Sequence, residues 1–280
     1  MHADPSYKLA GVMGWPVAHS RSPILHNHWI AELGLRGDYV LLPVQPNKLE
    51  TALRALPVLG FAGCNLTIPH KVAALPMVDY LDASALRIGA VNTIVVATDG
   101  ALTGRNTDAF GFIQSLLEAQ PDWRADRGPI AVIGAGGAAR AVLAGLLEQG
   151  AQQIRLINRS QAKALDMAQE FGAKVQAVAW SERCEALQGV SLLVNTTNQG
   201  MHGQEALDLD LHALPLDALV CDIIYVPLET HLIKAARLRG NRTVHGLGML
   251  IHQARPGFEA WFGSMPQPSE ALMTKVMASF

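Results

Sequence analysis

The chain has 280 residues, 50% of them hydrophobic, with 22 Lys and Arg against 24 Asp and Glu. At roughly 150 residues per domain this reads as two domains with sizeable cores, which excludes a disordered or fibrous chain. The charges are spread evenly, so no segment offers the clustered positive charge that nucleic acid or an acidic lipid surface requires.

Cys64, Cys184 and Cys221 lie far apart, form no C-x-x-C pair and suit a reducing cytoplasm. The N-terminus lacks the basic-then-apolar pattern of a signal peptide, and every apolar run is broken well short of the ~20 residues of a membrane span. No H-E-x-x-H, G-x-S-x-G or G-x-x-x-x-G-K-[ST] occurs, so zinc-protease, serine-hydrolase and P-loop chemistry have no footing. The expected partner is a small molecule in the cytoplasm, without nucleic acid, membrane or metal, and a homodimer is left open.

In chain order, short β-rich runs at 8–14, 39–44, 61–66 and 91–96 predict strands, with helices at 23–33, 46–56 and 69–80 between them. Each of these helices opens on a proline, whose missing N–H would be unpaired at the first helical position anyway. The alternation implies parallel strands in an α/β layer. A helix at 109–119 and a polar stretch at 121–129 lead into a second series. It has strands at 130–133, 154–158, 174–178, 192–195, 219–223 and 242–244, and helices at 137–149, 161–171 and 229–239. This series reads as a doubly wound, Rossmann-like nucleotide-binding domain. C-terminal helices at 249–262 and 269–278 lie beyond it and suit either domain.

The sharpest motif is Gly134-Ala135-Gly136-Gly137-Ala138-Ala139, a G-x-G-x-x-A that follows an apolar strand and opens a helix. Small residues there let backbone N–H groups at the helix N-terminus reach a pyrophosphate. About 20 residues on, an NAD-binding domain places a carboxylate against the ribose 2′-hydroxyl. Here stand Asn158, Arg159 and Ser160, with Lys163 one turn later. A guanidinium, a hydroxyl and an ammonium suit a 2′-phosphate, so the cofactor expected is NADP rather than NAD.

In the first series, Ser20 and Ser22 flank Arg21 ahead of Pro23. Two hydroxyls beside the positive end of a helix suit a small carboxylate, although Ser22 also sits where an ordinary N-cap belongs. Lys71 falls in the first turn of a helix after Asn65-Leu66-Thr67-Ile68-Pro69-His70, where the helix dipole disfavours a cation and eases proton transfer. Taken alone, a solvated surface lysine is the plainer reading. Asp108 follows Asn106-Thr107 at a helix start, ordinary capping chemistry, but at the junction of the two series, where a cleft between domains is expected. Tyr225 and Gln253 carry no signal of their own.

Together these residues resemble the shikimate dehydrogenase family. The family's motifs stand in order along nearly the whole chain: Ser20-Arg21-Ser22, Asn65 to Lys71, Gly89-Ala90-Val91-Asn92-Thr93, Asn106-Thr107-Asp108, the Gly134 turn and Asn158-Arg159-Ser160. They continue through Asn195-Thr196-Thr197, Gly200-Met201, Asp222 to Pro227, and Gly246 to Gln253. Leu66 stands where valine is more usual, and Asn198-Gln199 depart from the common residues before Gly200.

The resemblance implies an α/β protein of two domains, a substrate-binding and catalytic domain of 1–108 plus 247–280 and an NADP-binding domain of 109–246. It implies that Ser20 and Ser22 hold a substrate carboxylate, that Thr67, Asn92, Tyr225 and Gln253 complete the pocket, and that Lys71 and Asp108 are the catalytic pair. NADP is expected on Gly134, Ala135, Gly136, Gly137, Ala138, Asn158, Arg159, Ser160 and Lys163, with Ile223 and Gly246 nearby. The implied reaction is reversible reduction of 3-dehydroshikimate to shikimate with NADPH, on the route to chorismate and the aromatic amino acids. Its competitors are a quinate/shikimate dehydrogenase of broader substrate and cofactor use, a different two-domain dehydrogenase, and a non-catalytic NADP-binding sensor. Arg159 weighs against the first on the cofactor side; Ser20, Ser22, Lys71 and Gln253 weigh against the second; Lys71 with Asp108 weighs against the last.

Overall fold

The computed structural model describes residues 7–280. They form two compact units, one running to Thr107 and resuming over Ile251–Phe280, the other comprising Asp108–Leu250.

The first unit is built on strands β1 (Lys8–Gly14), β2 (Gly37–Pro43), β3 (Phe61–Leu66), β4 (Tyr80–Leu81), β5 (Thr93–Val96) and β6 (Leu102–Arg105), in the spatial order β2-β1-β3-β5-β6-β4. Only part of this sheet has the expected parallel pairing. β2, β1 and β3 are parallel, whereas β5 runs antiparallel to both β3 and β6. The short link Ala97–Ala101 between β5 and β6, closed by a hydrogen bond from the Ala97 N–H to the Ala101 carbonyl, makes a hairpin that no helix separates.

Helices α1 (Ser22–Glu32) and α2 (Leu49–Ala55) lie near their expected places. The helix expected over 69–80 does not form. Its interior contains Pro76, which has no N–H for the helical ladder. The chain makes instead a single turn, α3 (His70–Ala73), then a 3-10 turn Leu75–Met77 and β4. A further helix, α4 (Ala83–Ile88), starts where the Asp82 carboxylate accepts from the Ala85 N–H at 2.8 Å and ends at Gly89 in the left-handed conformation, φ 66°.

The second unit opens on α5 (Asp108–Ala119). Strands β7 (Ile130–Ile133), β8 (Ile154–Ile157), β9 (Val175–Val178), β10 (Leu192–Asn195), β11 (Leu219–Asp222) and β12 (Arg242–His245) are all parallel, in the order β12-β11-β10-β7-β8-β9. The strand order reverses between β7 and β10, and this is the switch point at which doubly wound sheets bind nucleotides. Both faces are covered. Ile130 and Val132 point into a core with α5, α6 (Gly137–Glu148) and α7 (Gln161–Phe171), while Ala131 and Ile133 point into another with α8 (His231–Arg239) and Leu187, Leu207 and Leu211. That two-sided burial explains why these strands read as continuous apolar runs.

Helix α9 (Leu247–Phe262) leaves the second unit and enters the first, where α10 (Glu270–Met277) follows. From Ile251 onward it is core to the first unit: Ala254, Phe258 and Trp261 are buried, and the Trp261 indole N–H donates to the Ile94 carbonyl at 2.9 Å. A β-carbon on Gly63 would lie 2.2 Å from that indole nitrogen, so the close approach of helix and sheet depends on glycine.

Candidate active site

The second unit carries a cleft of about 390 Å³ at the carboxyl ends of β7, β8 and β10. Gly134, Ala135 and Gly136 line one part of it, and Asn158, Arg159, Ser160 and Lys163 another. Gly134 adopts φ 109°, and a β-carbon there would stand 2.6 Å from the Thr196 hydroxyl oxygen, so the turn can pass this close to the β10 loop only as glycine. Arg159 and Lys163 are exposed and have no hydrogen-bond or ion-pair partner among the described residues. Two uncommitted cations on the same cleft as a glycine turn fit a dinucleotide carrying a 2′-phosphate, since neither must abandon a protein carboxylate to bind it.

Gly137 and Ala138 open α6 just beyond the lining, and Ile223 and Gly246 also lie outside it. The last two touch each other: a β-carbon on Gly246 would meet the Ile223 carbonyl oxygen at 2.0 Å. Five lining residues were not among the expected cofactor contacts, Trp180, Thr196, Thr197, Asn198 and Gln199. The signal for the last four was their place directly after a buried strand beside the glycine turn. Trp180 follows β9, and its ring lies against the Arg183 guanidinium, 4.9 Å from carbon to ring centroid, with Arg183 held in turn by Asp208 at 2.5 Å.

In the first unit, strand directions gather the remaining candidates at one end of the sheet. Thr67 follows β3, Asn92 precedes the antiparallel β5, and Thr107 follows β6. Asn92 is buried. Its amide donates to the Thr107 hydroxyl at 3.0 Å, and its oxygen accepts from the Thr107 N–H at 2.9 Å and the Thr93 hydroxyl at 2.8 Å. The Thr107 hydroxyl donates to the Gln253 carbonyl at 2.7 Å, which fixes the backbone of α9 at the residue expected to face substrate. Below them Asn65 donates to the Asn92 carbonyl at 3.1 Å and accepts from the buried Tyr39 hydroxyl at 2.6 Å. Burial pushes the Tyr39 phenol well above its ordinary range, with the neighbouring Cys64 adding to the effect and a hydrogen bond with Ser22 opposing it.

Two local expectations need correction. Ser22 is not the N-cap of α1: Arg21 holds that position, and it is the Ser20 oxygen that accepts from the Ser22 N–H, at 3.3 Å. Lys71 lies in the first turn of a helix, but that helix is only four residues long, so little aligned dipole acts on it. Its backbone is fixed instead, the Lys71 carbonyl accepting from the Val91 N–H at 2.8 Å, while the buried neighbour His70 bonds the Val44 carbonyl through Nε2 at 2.9 Å. Asp108 is buried as the first residue of α5, and the half-buried Tyr225 lies between β11 and α8, both in the second unit. Among the described residues no cluster of His, Cys, Asp and Glu suits a metal ion, and no helix is long and apolar enough to cross a membrane.

A parallel doubly wound sheet with a glycine turn and two cations on one cleft, joined to a second α/β unit, is the layout of the class of nicotinamide-cofactor oxidoreductases. Three segments match family descriptions: residues 12–94 the shikimate dehydrogenase substrate binding domain, 118–204 shikimate / quinate 5-dehydrogenase, and 246–277 the shikimate 5'-dehydrogenase C-terminal domain. The shikimate dehydrogenase (NADP(+)) of Paramagnetospirillum magneticum is 57% identical over 97% of this chain and 98% of its own. The chain belongs to the shikimate dehydrogenase family. Among solved structures, shikimate 5-dehydrogenase from Thermus thermophilus in complex with NADP(H) and shikimate is 36% identical, covering 98% of this chain and 100% of that one, with a TM-score of 0.87. Quinate dehydrogenase from Corynebacterium glutamicum in complex with NAD is 30% identical over 98% of each chain, with a TM-score of 0.88.

Proposed function

We propose that this chain catalyses the reversible reduction of 3-dehydroshikimate to shikimate with NADPH, the parallel-sheet unit binding the cofactor and the mixed-sheet unit the substrate. The observation that carries the reading is the cleft on which Arg159 and Lys163, uncommitted to any anion among the described residues, stand beside the Gly134 turn where an NAD-specific domain has a carboxylate. When bound, the cofactor supplies the hydride.

The remaining work falls to the chain's own side chains. Ser20 and Ser22 hold the substrate carboxylate, and Thr67, Asn92, Tyr225 and Gln253 orient its ring and hydroxyls. Lys71 gives its proton to the oxygen that becomes the alkoxide on reduction and takes it back on oxidation, while Asp108 hydrogen-bonds the substrate hydroxyls. The high identity to an NADP-dependent relative and the fixed backbone of Lys71 support these roles.

The test is initial-rate oxidation of shikimate with NADP, run beside Lys71→Ala. A loss of about 10²–10⁴ in kcat, with NADP binding and thermal unfolding unchanged, is expected from removal of a general acid–base. Equal turnover in Lys71→Ala would remove it from the chemistry, and no turnover in wild type that still binds NADPH would make the protein a sensor.

A further inference from the structure

Asp222, the last residue of β11, is fully buried, and burying a carboxylate is costly unless several donors satisfy it. Here three do. The Thr230 hydroxyl donates to Oδ2 at 2.7 Å, and the Ile224 N–H and the Asn195 amide each donate to Oδ1 at 3.1 Å. Asn195, buried at the end of the adjacent β10, carries the connection onward: its oxygen accepts from the Thr197 N–H at 3.0 Å and hydroxyl at 2.8 Å, and its amide reaches the Gln199 carbonyl at 3.3 Å. Thr197 and Gln199 line the dinucleotide cleft.

The same two segments meet twice more. The His202 N–H donates to the Val226 carbonyl at 3.1 Å, and Gly200 lies so close to Thr230 and Ile224 that a β-carbon there would stand within 3.8 Å of both. Tyr225 sits between Ile224 and Val226 on the segment so held. A carboxylate has two acceptor oxygens for these three donors, whereas an asparagine in its place would offer one and add donors of its own.

We infer that Asp222 is a positioning residue which, through Asn195, locks the cleft-lining loop 196–200 to the segment bearing Tyr225. One buried group thereby sets both the cofactor cleft and a substrate contact. The inference rests on the proposed placement of NADP on the Gly134 cleft and of Tyr225 against substrate.

Asp222→Asn, Tyr225→Phe and the double variant test it, with NADP affinity measured by calorimetry without turnover and the shikimate KM by initial rates. Asp222→Asn is expected to weaken NADP binding and to raise the shikimate KM, each about five- to tenfold, in a folded protein. Tyr225→Phe is expected to raise the shikimate KM alone, and to add nothing further on the Asp222→Asn background, because both act through one contact. A folded Asp222→Asn with both constants within about twofold of wild type overturns the inference, as do shikimate effects that multiply in the double variant. Failure of the wild type to bind NADP, or an unchanged shikimate KM in Tyr225→Phe alone, removes the underlying placement and the inference with it.

Discussion

In the proposed placement of NADP, Arg159 and Lys163 separate two cofactors that differ by one phosphate. Arg159→Ala should weaken NADP by about tenfold or more, the worth of a charge-assisted contact, and leave NAD unaffected. Equal losses for both cofactors would place Arg159 away from the 2′-phosphate; titration of each cofactor into the variant decides. The place of Arg159 on the cleft was legible in the sequence because strand, glycine turn, helix and next strand fix where the second strand ends. Trp180 was not, since nothing in a lone tryptophan says which side of a sheet edge it will face.

His26 makes a different residue-scale prediction. It is fully buried, stacked 4.0 Å from the Tyr39 ring, and neither ring nitrogen has a hydrogen-bond partner among the described residues. Burial lowers its pKa from 6.5 to about 3. Between those values the unfolded chain takes up a proton that the folded chain refuses, so the stability this group permits is intact above pH 6.5 and is lost as pH falls toward 3. Relative to His26→Phe, wild type should lose ~2 kcal/mol more on going from pH 6.5 to 5, measured by denaturant unfolding at each pH. Parallel pH profiles for the two proteins would refute a neutral buried imidazole.

At the scale of elements, the strands of the second unit were readable almost to the residue, because a sheet buried on both faces writes its strands as short apolar runs between turn residues. The first unit was less so. β4 is only two residues long and β6 contains Thr103, Gly104 and Arg105, so hydrogen bonding to neighbours rather than pattern makes them strands. The overlong helix at 69–80 had its stop signal in Pro76, which periodicity alone passes over. The attachment of α9 to the first unit was carried only by resemblance, and the structure supplies its physical basis in Trp261 against Gly63 and Ile94. Gly63→Ala should cost about 3 kcal/mol, since the new methyl meets both the indole and a backbone carbonyl. Chemical denaturation checks this, and an unchanged midpoint would show that the helix yields easily.

For the whole molecule, division into two α/β units followed from length and from the two strand–helix series, and the mixed pairing of the first sheet did not. Alternation predicts parallel strands, and the hairpin of β5 and β6 breaks that rule for one half of one sheet. The break has a structural result, because it turns the start of β5 and the end of β6 to the same side as the end of β3 and so brings Asn92 and Thr107 to the same sheet end as Thr67. Family likeness at this scale does not separate shikimate from quinate, as the similar quinate dehydrogenase shows. The measurement that does is kcat/KM for shikimate with NADP, for quinate with NADP and for shikimate with NAD, on the same preparation. Arg159, Lys163 and the missing carboxylate predict that shikimate with NADP exceeds shikimate with NAD by about two orders of magnitude, and the proposed reaction predicts that it exceeds quinate with NADP as well. Comparable values for quinate or for NAD would contradict it and make the enzyme one of broader specificity.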